Sequence, residues 1–302
     1  MKLPVSIPHI ADVELIRGAQ ATGSVDLLVE VPHGASLRAH YDQLAAQLSS
    51  ELPADLHHFF HCNTDTGAWE YGRRTAELML AAHPNCSALV VRCLIPRTFI
   101  DTNRRLQQAT GLGEGGVTRA IQPYVTDSAD HSLLIERHQQ YTSLAQSAWT
   151  AVVGAGGLGL IPHSYMPRTL DIERVDADIV TQLHASHEPA RYAACPLRAQ
   201  VELITQTSDG VDLSPPGSAD RLVSELAAAG LTAEICGTFH LHEATMGFRW
   251  SEAYPHRVLC LEVRRDLLVQ EWTPFAQQMV DPQRVERVAG PLAQVLGDYL
   301  AP

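Results

Sequence analysis

The feature that most constrains the fold is an alternation of short apolar runs with longer stretches of helical spacing. The apolar runs cover residues 27–31, 87–95, 160–165, 201–205, 231–236 and 257–263. The helical stretches cover residues 39–48, 68–82, 131–153, 218–229 and the chain from Pro274 onward. Short apolar runs that end at turn residues predict buried strands, and their alternation with helices predicts an α/β fold. We therefore expect a three-layer α/β/α sandwich with a mixed central sheet.

The chain length and the absence of repeats predict one domain. The 302 residues suffice for a single large α/β domain, and no internal repeat or linker divides them. We therefore predict that residues 1–302 form one domain. Residues 106–117 contain four glycines, and this composition predicts a mobile loop beside the functional site.

Composition argues against several classes of partner. The net charge is −12 and basic residues form no cluster, which argues against nucleic acid and anionic membranes. No apolar run approaches the roughly 18 residues that span a bilayer, and prolines interrupt the N-terminal segment where a signal peptide needs an apolar core. The six cysteines form no Cys-x-x-Cys pair, which argues against a cysteine zinc site. We expect a cytoplasmic protein, and a small anionic substrate stays possible.

Two histidines follow apolar runs and a proline in the same way. His33 comes after Pro32 and before a glycine, and His163 comes after Pro162 and before a serine. In α/β sheets, ligands collect at the carboxyl ends of the strands. A hydrolytic zinc site needs about three protein ligands, commonly two histidines and one carboxylate. Capping of a strand explains one such histidine, but the matched pair favours a metal-ligand role for both.

The third metal ligand has two candidates. Asp65 lies in a turn cluster, where its alternative role is to cap the helix predicted over 68–82. Glu70 follows one helical turn later, where its alternative role is an exposed helix face. Glu30 is closer to His33 in sequence, but strand alternation points its side chain away from that histidine. We prefer Asp65 to Glu70.

A second group of residues suits binding of a carboxylate. Asn103 and Arg104 offer neutral and charged donors, and a guanidinium binds a carboxylate through two parallel hydrogen bonds. An arginine–aspartate pair that fixes a loop is the structural alternative. We also predict substrate contacts for Ser164 and Arg168, and Arg119 is a weaker candidate for anion binding.

Glu262 lies inside the apolar run 257–263. A carboxylate in a buried strand is costly unless it is paired or functional. In a zinc hydrolase, a carboxylate near the metal-bound water serves as the general base. A structural ion pair with Arg264, on the same strand face, is the alternative. We favour Glu262 as the general base.

The remaining histidines receive simpler interpretations. His240 and His242 alternate, so on a strand they would share a face, and we assign them to substrate contact. His57, His58 and His61 form a loose cluster that we assign to the surface.

Five short motifs, taken in order, resemble those of the N-formylglutamate amidohydrolase family, which is related to zinc carboxypeptidases and aminoacylases. They begin at Pro32, Thr64, Asp101, Pro162 and Leu261 and span roughly residues 26–265. Their specificity comes from the ordered set, because each motif alone is short. The resemblance implies a phosphorylase/hydrolase-like α/β/α fold.

The resemblance also implies roles for single residues. His33 and His163 would bind zinc, Asn103 and Arg104 would hold the substrate carboxylate, and Glu262 would be the base. The chain departs from the carboxypeptidases at position 36, where a serine replaces their ligand carboxylate.

These expectations converge on one function. The predicted protein is a zinc-dependent amidohydrolase that cleaves the amide of an N-acyl amino acid, with N-formyl-L-glutamate as the first substrate to test. The alternatives are a zinc carboxypeptidase or deacylase that accepts a larger acyl or peptidyl group, and a ligand-binding domain without catalysis.

Overall fold

The computed structural model describes residues 2–106, 118–172 and 174–300. Of the loop predicted at 106–117, only Leu106 belongs to the described residues. The remainder of that prediction lies outside them.

The strands of the described chain form one mixed sheet. They are β1 (Ala11–Arg17), β2 (Leu27–Val31), β3 (Ser87–Cys93), β4 (Leu158–Tyr165), β5 (Val201–Leu203), β6 (Ala233–Ile235) and β7 (Val258–Arg264). Their order across the sheet is β1-β3-β2-β4-β7-β5-β6. The four central strands β3, β2, β4 and β7 run parallel, so their carboxyl ends share one edge. β1 pairs antiparallel with β3, and β5 pairs antiparallel with β7.

Helices cover both faces of this sheet. They are α1 (Arg38–Ala45), α2 (Leu56–Asn63), α3 (Ala68–Ala82), α4 (Ser128–Val152), α5 (Ile179–Ser186), α6 (Pro189–Ala194), α7 (Ser218–Ala228), α8 (Met246–Ala253) and α9 (Pro282–Leu300). Alternate residues of β2 separate two apolar cores: Leu28 packs on the side of α4, whereas Leu27 and Val29 pack on the side of α3 and α9. The predicted α/β/α layering with a mixed sheet is therefore confirmed.

Three local predictions need correction. β1 was not predicted, because it is an edge strand with alternating exposure and carries no continuous apolar run. The α2 segment, assigned to the surface for its histidines, is a helix whose apolar residues at i, i+3 and i+4 are Leu56, Phe59 and Phe60. Its His61 is only 4% exposed. The last helix begins at Pro282 and not at Pro274, because Val280 pairs with Val269 in extended backbone and the Asp281 carboxylate caps the first turn after it.

No helix within the described ranges is both long and apolar enough to cross a membrane.

Glu30 is a buried carboxylate in the centre of β2. It is 2% exposed, and its side chain points to α4, away from His33, as strand alternation predicted. The Tyr141 hydroxyl donates to its Oε1 over 2.8 Å, and the Trp149 indole N–H donates to its Oε2. Burial raises the pKa of Glu30, although these two hydrogen bonds oppose the shift.

We predict that Glu30→Gln becomes more stable relative to the native protein as the pH rises. Burial raises the pKa of Glu30 in the native protein above its value in the unfolded chain. The contribution of Glu30 to the free energy of unfolding is therefore fully present at low pH and is lost as the pH rises through the native pKa. The difference in free energy of unfolding between Glu30→Gln and the native protein changes by at most about 1.4 kcal/mol per pH unit. Urea unfolding between pH 5 and 8 measures it, with Glu136→Gln on the exposed face of α4 as control. Parallel stability curves for Glu30→Gln and the native protein would contradict the assignment.

Candidate active site

Three candidate site residues come from neighbouring parallel strands. His33 lies two residues after β2, His163 lies near the end of β4, and Glu262 lies near the end of β7. His163 and Glu262 stand side by side in the strand register. The sheet order β2-β4-β7 therefore brings all three to the same edge, as the strand-end pattern predicted.

His33, Asp65 and His163 form a buried cluster, hereafter the His–Asp–His cluster. One ligand atom from each residue lies within 4.8 Å of the others. The Asp65 Oδ2 atom is 3.1 Å from His33 Nδ1 and 2.8 Å from His163 Nδ1. All three residues are buried. Two imidazole nitrogens and one carboxylate oxygen that converge in this way match the usual ligand set of a hydrolytic zinc site.

Asp101 contacts Nε2 of His33, the ring nitrogen that does not contact Asp65. Its Oδ1 is 2.7 Å from His33 Nε2, so Nε2 donates to Asp101 and Nδ1 is the ring nitrogen that would bind a metal ion. Nδ1 then faces the Asp65 carboxylate and the Arg97 guanidinium, which approaches to 3.3 Å. Asp65 and Asp101 lie on either side of the His33 imidazole, so their negative charges are stabilised by a positive charge between them. A proton on the ring or a bound cation can supply it. The donor set of the cluster therefore fits a metal ion.

Nearby cations keep both carboxylates ionised. Burial alone would raise the pKa of Asp65, but the charge of His33 and hydrogen bonds from His163 and His33 outweigh it and hold that pKa below its usual value. Asp101 shows the same balance: burial opposes ionisation, but Arg104 and Arg97 hold its pKa well below the usual range. Arg97 donates to Asp101 Oδ2 over 3.1 Å.

Small polar residues fix the loops that carry the ligands. The Thr64 hydroxyl donates to the Ala35 carbonyl over 2.8 Å, and the Thr102 hydroxyl donates to the Pro32 carbonyl over 2.8 Å. Gly34 is needed because a Cβ there would lie 2.5 Å from the Arg92 side chain. These contacts hold the His33 corner against the segments that carry Asp65 and Asp101.

Asp65, and not Glu70, is the carboxylate that lies in the His–Asp–His cluster. Glu70 lines a separate surface pocket with Arg92 and Trp69. The capping role of Asp65 is wrong: Gly67 occupies the N-cap of α3 without a side-chain bond, because the Asp65 carboxylate turns to the histidines. Glu70 is also no exposed residue, since its Oε2 atom is buried.

Glu262 lies beside the cluster in the same cavity. Burial raises its pKa to about 7, and His163 opposes the shift. Its Oε2 atom is buried without a hydrogen-bond partner among the described residues. Arg264, the alternative partner, donates to Asp266 over 2.8 Å. A half-buried carboxylate with an unpaired Oε2 atom and a pKa near neutrality has the properties of a general base.

The predicted substrate-binding residues divide into two groups. Asn103 and Arg104 line the cavity. The Asn103 Oδ1 accepts the backbone N–H groups of Met246 and Gly247 at the start of α8, which leaves its amide N–H group for a ligand. Arg104 donates from Nε to Thr118 and lies 3.8 Å from Asp101.

Ser164 and Arg168 are engaged within the protein. Ser164 borders the cavity, but its hydroxyl donates to the Thr66 carbonyl over 2.8 Å. Arg168 does not line the cavity: its guanidinium donates to the Cys195 carbonyl and lies over the Tyr192 ring. The structure thus brings Ser164 to the cavity and leaves Arg168 outside it.

The cavity also contains residues that sequence reasoning did not select. Its volume is about 410 Å³, within the usual range for a small-molecule site. Arg97, Arg198 and Arg265 line it, and His240 and His242 border it as predicted. Arg97 lies four residues before Asp101, so its position on the same loop was the available signal. Arg119 is exposed.

Solved structures share this fold. The crystal structure of N-formylglutamate amidohydrolase from Ralstonia eutropha aligns with a TM-score of 0.57 and 15% sequence identity, over 95% of this chain and 96% of that chain. A gene product of Agrobacterium tumefaciens aligns with a TM-score of 0.52 and 17% identity, over 96% of this chain and 94% of that chain. These likenesses confirm the predicted resemblance at the level of the fold. No protein-family model and no curated protein matches the chain.

We predict that the His–Asp–His cluster holds about one divalent ion per chain. Replacement of His33, Asp65 or His163 by alanine removes one of three ligands, so zinc retained after dialysis falls below about one-tenth of the native amount. Plasma mass spectrometry measures the metal, and circular dichroism checks that each variant is folded. Glu70→Ala is the matched control and keeps its zinc. Full zinc in the folded histidine variants, or loss of zinc in Glu70→Ala, would contradict the ligand assignment.

Proposed function

We propose that the protein is a zinc-dependent amidohydrolase that cleaves the amide bond of an N-acyl amino acid. The observation that carries the proposal is the His–Asp–His cluster beside Glu262 in one cavity, with Asn103 and Arg104 in the same wall. The fold likeness to an N-formylglutamate amidohydrolase supports N-formyl-L-glutamate as the first substrate to test.

The ligand chemistry favours zinc over magnesium or calcium. Imidazole nitrogens suit zinc and other transition metals, whereas magnesium and calcium prefer oxygen ligands. Two histidines and one carboxylate also leave a coordination position for water or substrate, as catalytic zinc sites require. A zinc ion bound there would polarise the amide carbonyl and lower the pKa of water.

Glu262 is the group that moves the proton in this proposal. Its carboxylate lies beside His163 in the register, close to the cluster. A base with a pKa of about 7 accepts a proton from water near neutral pH and then gives it to the leaving amine. Among the described residues, the Oε2 atom of Glu262 has no hydrogen-bond partner, which leaves it available to the reaction.

Asn103 and Arg104 orient the substrate. The Asn103 amide and the Arg104 guanidinium offer a neutral and a charged donor to one carboxylate. Asp101 connects the proposed substrate-binding group with the proposed metal site, since it lies next to both Arg104 and His33. An α-carboxylate held there places the neighbouring amide toward the His–Asp–His cluster.

Composition supports the setting proposed for this activity. The net charge of −12 and the lack of a basic cluster argue against nucleic acid or an anionic membrane as the partner, and they leave room for a small anionic substrate, which needs only one or two focused arginines. We propose a cytoplasmic location, because all six cysteines are free thiols, as a reducing compartment favours.

The test incubates the zinc-loaded protein with a panel of N-formyl and other N-acyl amino acids and measures hydrolysis by the release of the free amine. We expect activity that a chelator abolishes and zinc restores. Glu262→Gln keeps the shape of the side chain but not the base, so kcat falls about 10²- to 10⁴-fold while zinc content stays unchanged. No hydrolysis across the panel by a zinc-containing protein, or native activity of Glu262→Gln, would overturn the proposal.

A further inference from the structure

The segment 242–247, which leads into α8, lies against the two residues proposed to bind the substrate carboxylate. Thr245 pairs with Arg104 as an antiparallel bridge. The Met246 N–H group donates to the Asn103 carbonyl over 3.1 Å. Because these backbone contacts join both residues to the segment, its side chains lie close to Asn103 and Arg104 in the folded chain.

His242 begins this segment, and its ring is held in one tautomer. The Ala244 N–H group donates to His242 Nδ1 over 3.1 Å, and the Thr245 hydroxyl donates to the His242 carbonyl over 2.7 Å. A neutral imidazole has one nitrogen that accepts and one that donates. Since Nδ1 accepts, the ring proton is on Nε2. The segment therefore fixes an N–H donor on the ring nitrogen that is farther from the backbone.

This N–H donor is available to a ligand. Among the described residues, Nε2 of His242 has no hydrogen-bond partner. His242 is half-buried and lines the same cavity as Asn103 and Arg104. The Asn103 amide N–H group is a second available donor in this wall, because the Asn103 Oδ1 atom already accepts two hydrogen bonds at the start of α8.

The charges around His242 favour an anion on the cavity side. A second groove shares the wall residues 239–242, so His242 borders both spaces. The described lining of that groove contains acidic residues and no arginine or lysine, whereas four arginines line the cavity. The acidic residues are Asp209, Glu243 and Glu252, and the arginines are Arg97, Arg104, Arg198 and Arg265. A donor that meets an anion here therefore does so in the cavity.

Arg104 needs further donors to hold both oxygens of a carboxylate. Its Nε donates to the Thr118 carbonyl over 3.3 Å, and its Nη1 donates to the Asn103 carbonyl over 3.3 Å. Two of its three nitrogens are therefore already engaged, although two parallel hydrogen bonds to a carboxylate use two of them. The Asn103 amide supplies one additional donor, and His242 Nε2 supplies another.

We propose that His242 donates from Nε2 to the carboxylate that Asn103 and Arg104 bind. This inference rests on the proposed function, which places the α-carboxylate of the substrate at those two residues. It makes His242 a specificity-determining residue for N-acyl amino acids with a free α-carboxylate, N-formyl-L-glutamate among them. The structural alternative is that His242 only closes the turn through Nδ1.

Two variants separate the roles of the ring nitrogens. His242→Asn keeps an acceptor for the Ala244 N–H group but removes the Nε2 donor. We expect KM for N-formyl-L-glutamate to rise about 10- to 100-fold, as for the loss of a hydrogen bond to a charged group, while kcat changes by less than about threefold. His242→Gln carries an amide N–H group that can reach the place of Nε2, and it restores part of the affinity.

Two monoamides of N-formyl-L-glutamate identify the carboxylate that His242 contacts. The 1-amide neutralises the α-carboxylate, and N-formyl-L-glutamine neutralises the side chain. We expect His242→Asn to weaken N-formyl-L-glutamine as strongly as N-formyl-L-glutamate. It weakens the 1-amide by no more than about threefold, because the charged acceptor is already absent from that compound.

His256→Asn is the matched control. His256 does not line the cavity, and its Nδ1 contacts the Ser214 carbonyl. Its backbone φ is 64°, a left-handed conformation that asparagine tolerates. This variant keeps the native KM for all three compounds.

Calorimetric binding of the three compounds to zinc-loaded Glu262→Gln, with and without His242→Asn, measures these effects without hydrolysis. An effect confined to compounds with an α-carboxylate supports the inference even if the native protein cleaves none of them, a result that overturns the proposed function alone. The inference is overturned if His242→Asn leaves binding of N-formyl-L-glutamate unchanged, weakens all three compounds equally, or spares N-formyl-L-glutamine instead of the 1-amide. If none of the three compounds binds, both proposals are overturned.

Discussion

The site depends on one carboxylate that two imidazoles share. Asp65 Oδ2 lies within about 3 Å of the Nδ1 atoms of His33 and His163, and all three side chains are buried. A buried carboxylate is stable only where positive charge or donors surround it. The histidines and Arg97 supply positive charge and donors there, and a cation held by the cluster would add to them. Much of the surrounding structure can be understood as the means of keeping these three groups in contact.

The residues that achieve this are the small polar neighbours of the ligands. Thr64 and Thr102 each bind the backbone of the His33 corner, and Ser164 binds the backbone beside Asp65. Each ligand segment is therefore tied to another by a hydroxyl one or a few residues away in sequence. This explains part of the short sequence motifs around the ligands: Thr64, Thr102 and Ser164 each contact the backbone of another motif. Ser164, predicted as a substrate contact, has such a role.

The sequence was sufficient to predict the layers, the central strands and the two histidines, because apolar runs that end at a turn are a local signal. Asp65 and Glu70 remained alternatives, because the direction of a turn carboxylate depends on residues far along the chain. The same reason hid the role of Asp101, whose partner lies 68 residues away. The position of Arg198 was hidden too, since it follows from the antiparallel pairing of β5 with β7. Arg168 was selected by its nearness to His163 in sequence, but the chain turns it toward Cys195 and Tyr192.

The most direct test of the account is X-ray absorption at the zinc edge of the zinc-loaded protein. The account predicts nitrogen and oxygen neighbours only, with the scattering pattern of two imidazole rings, and a spectrum that changes in Asp65→Ala. A sulfur neighbour would contradict it, because Cys62 and Cys260 also border the cavity. A spectrum with a single imidazole, or one that Asp65→Ala leaves unchanged, would contradict it equally.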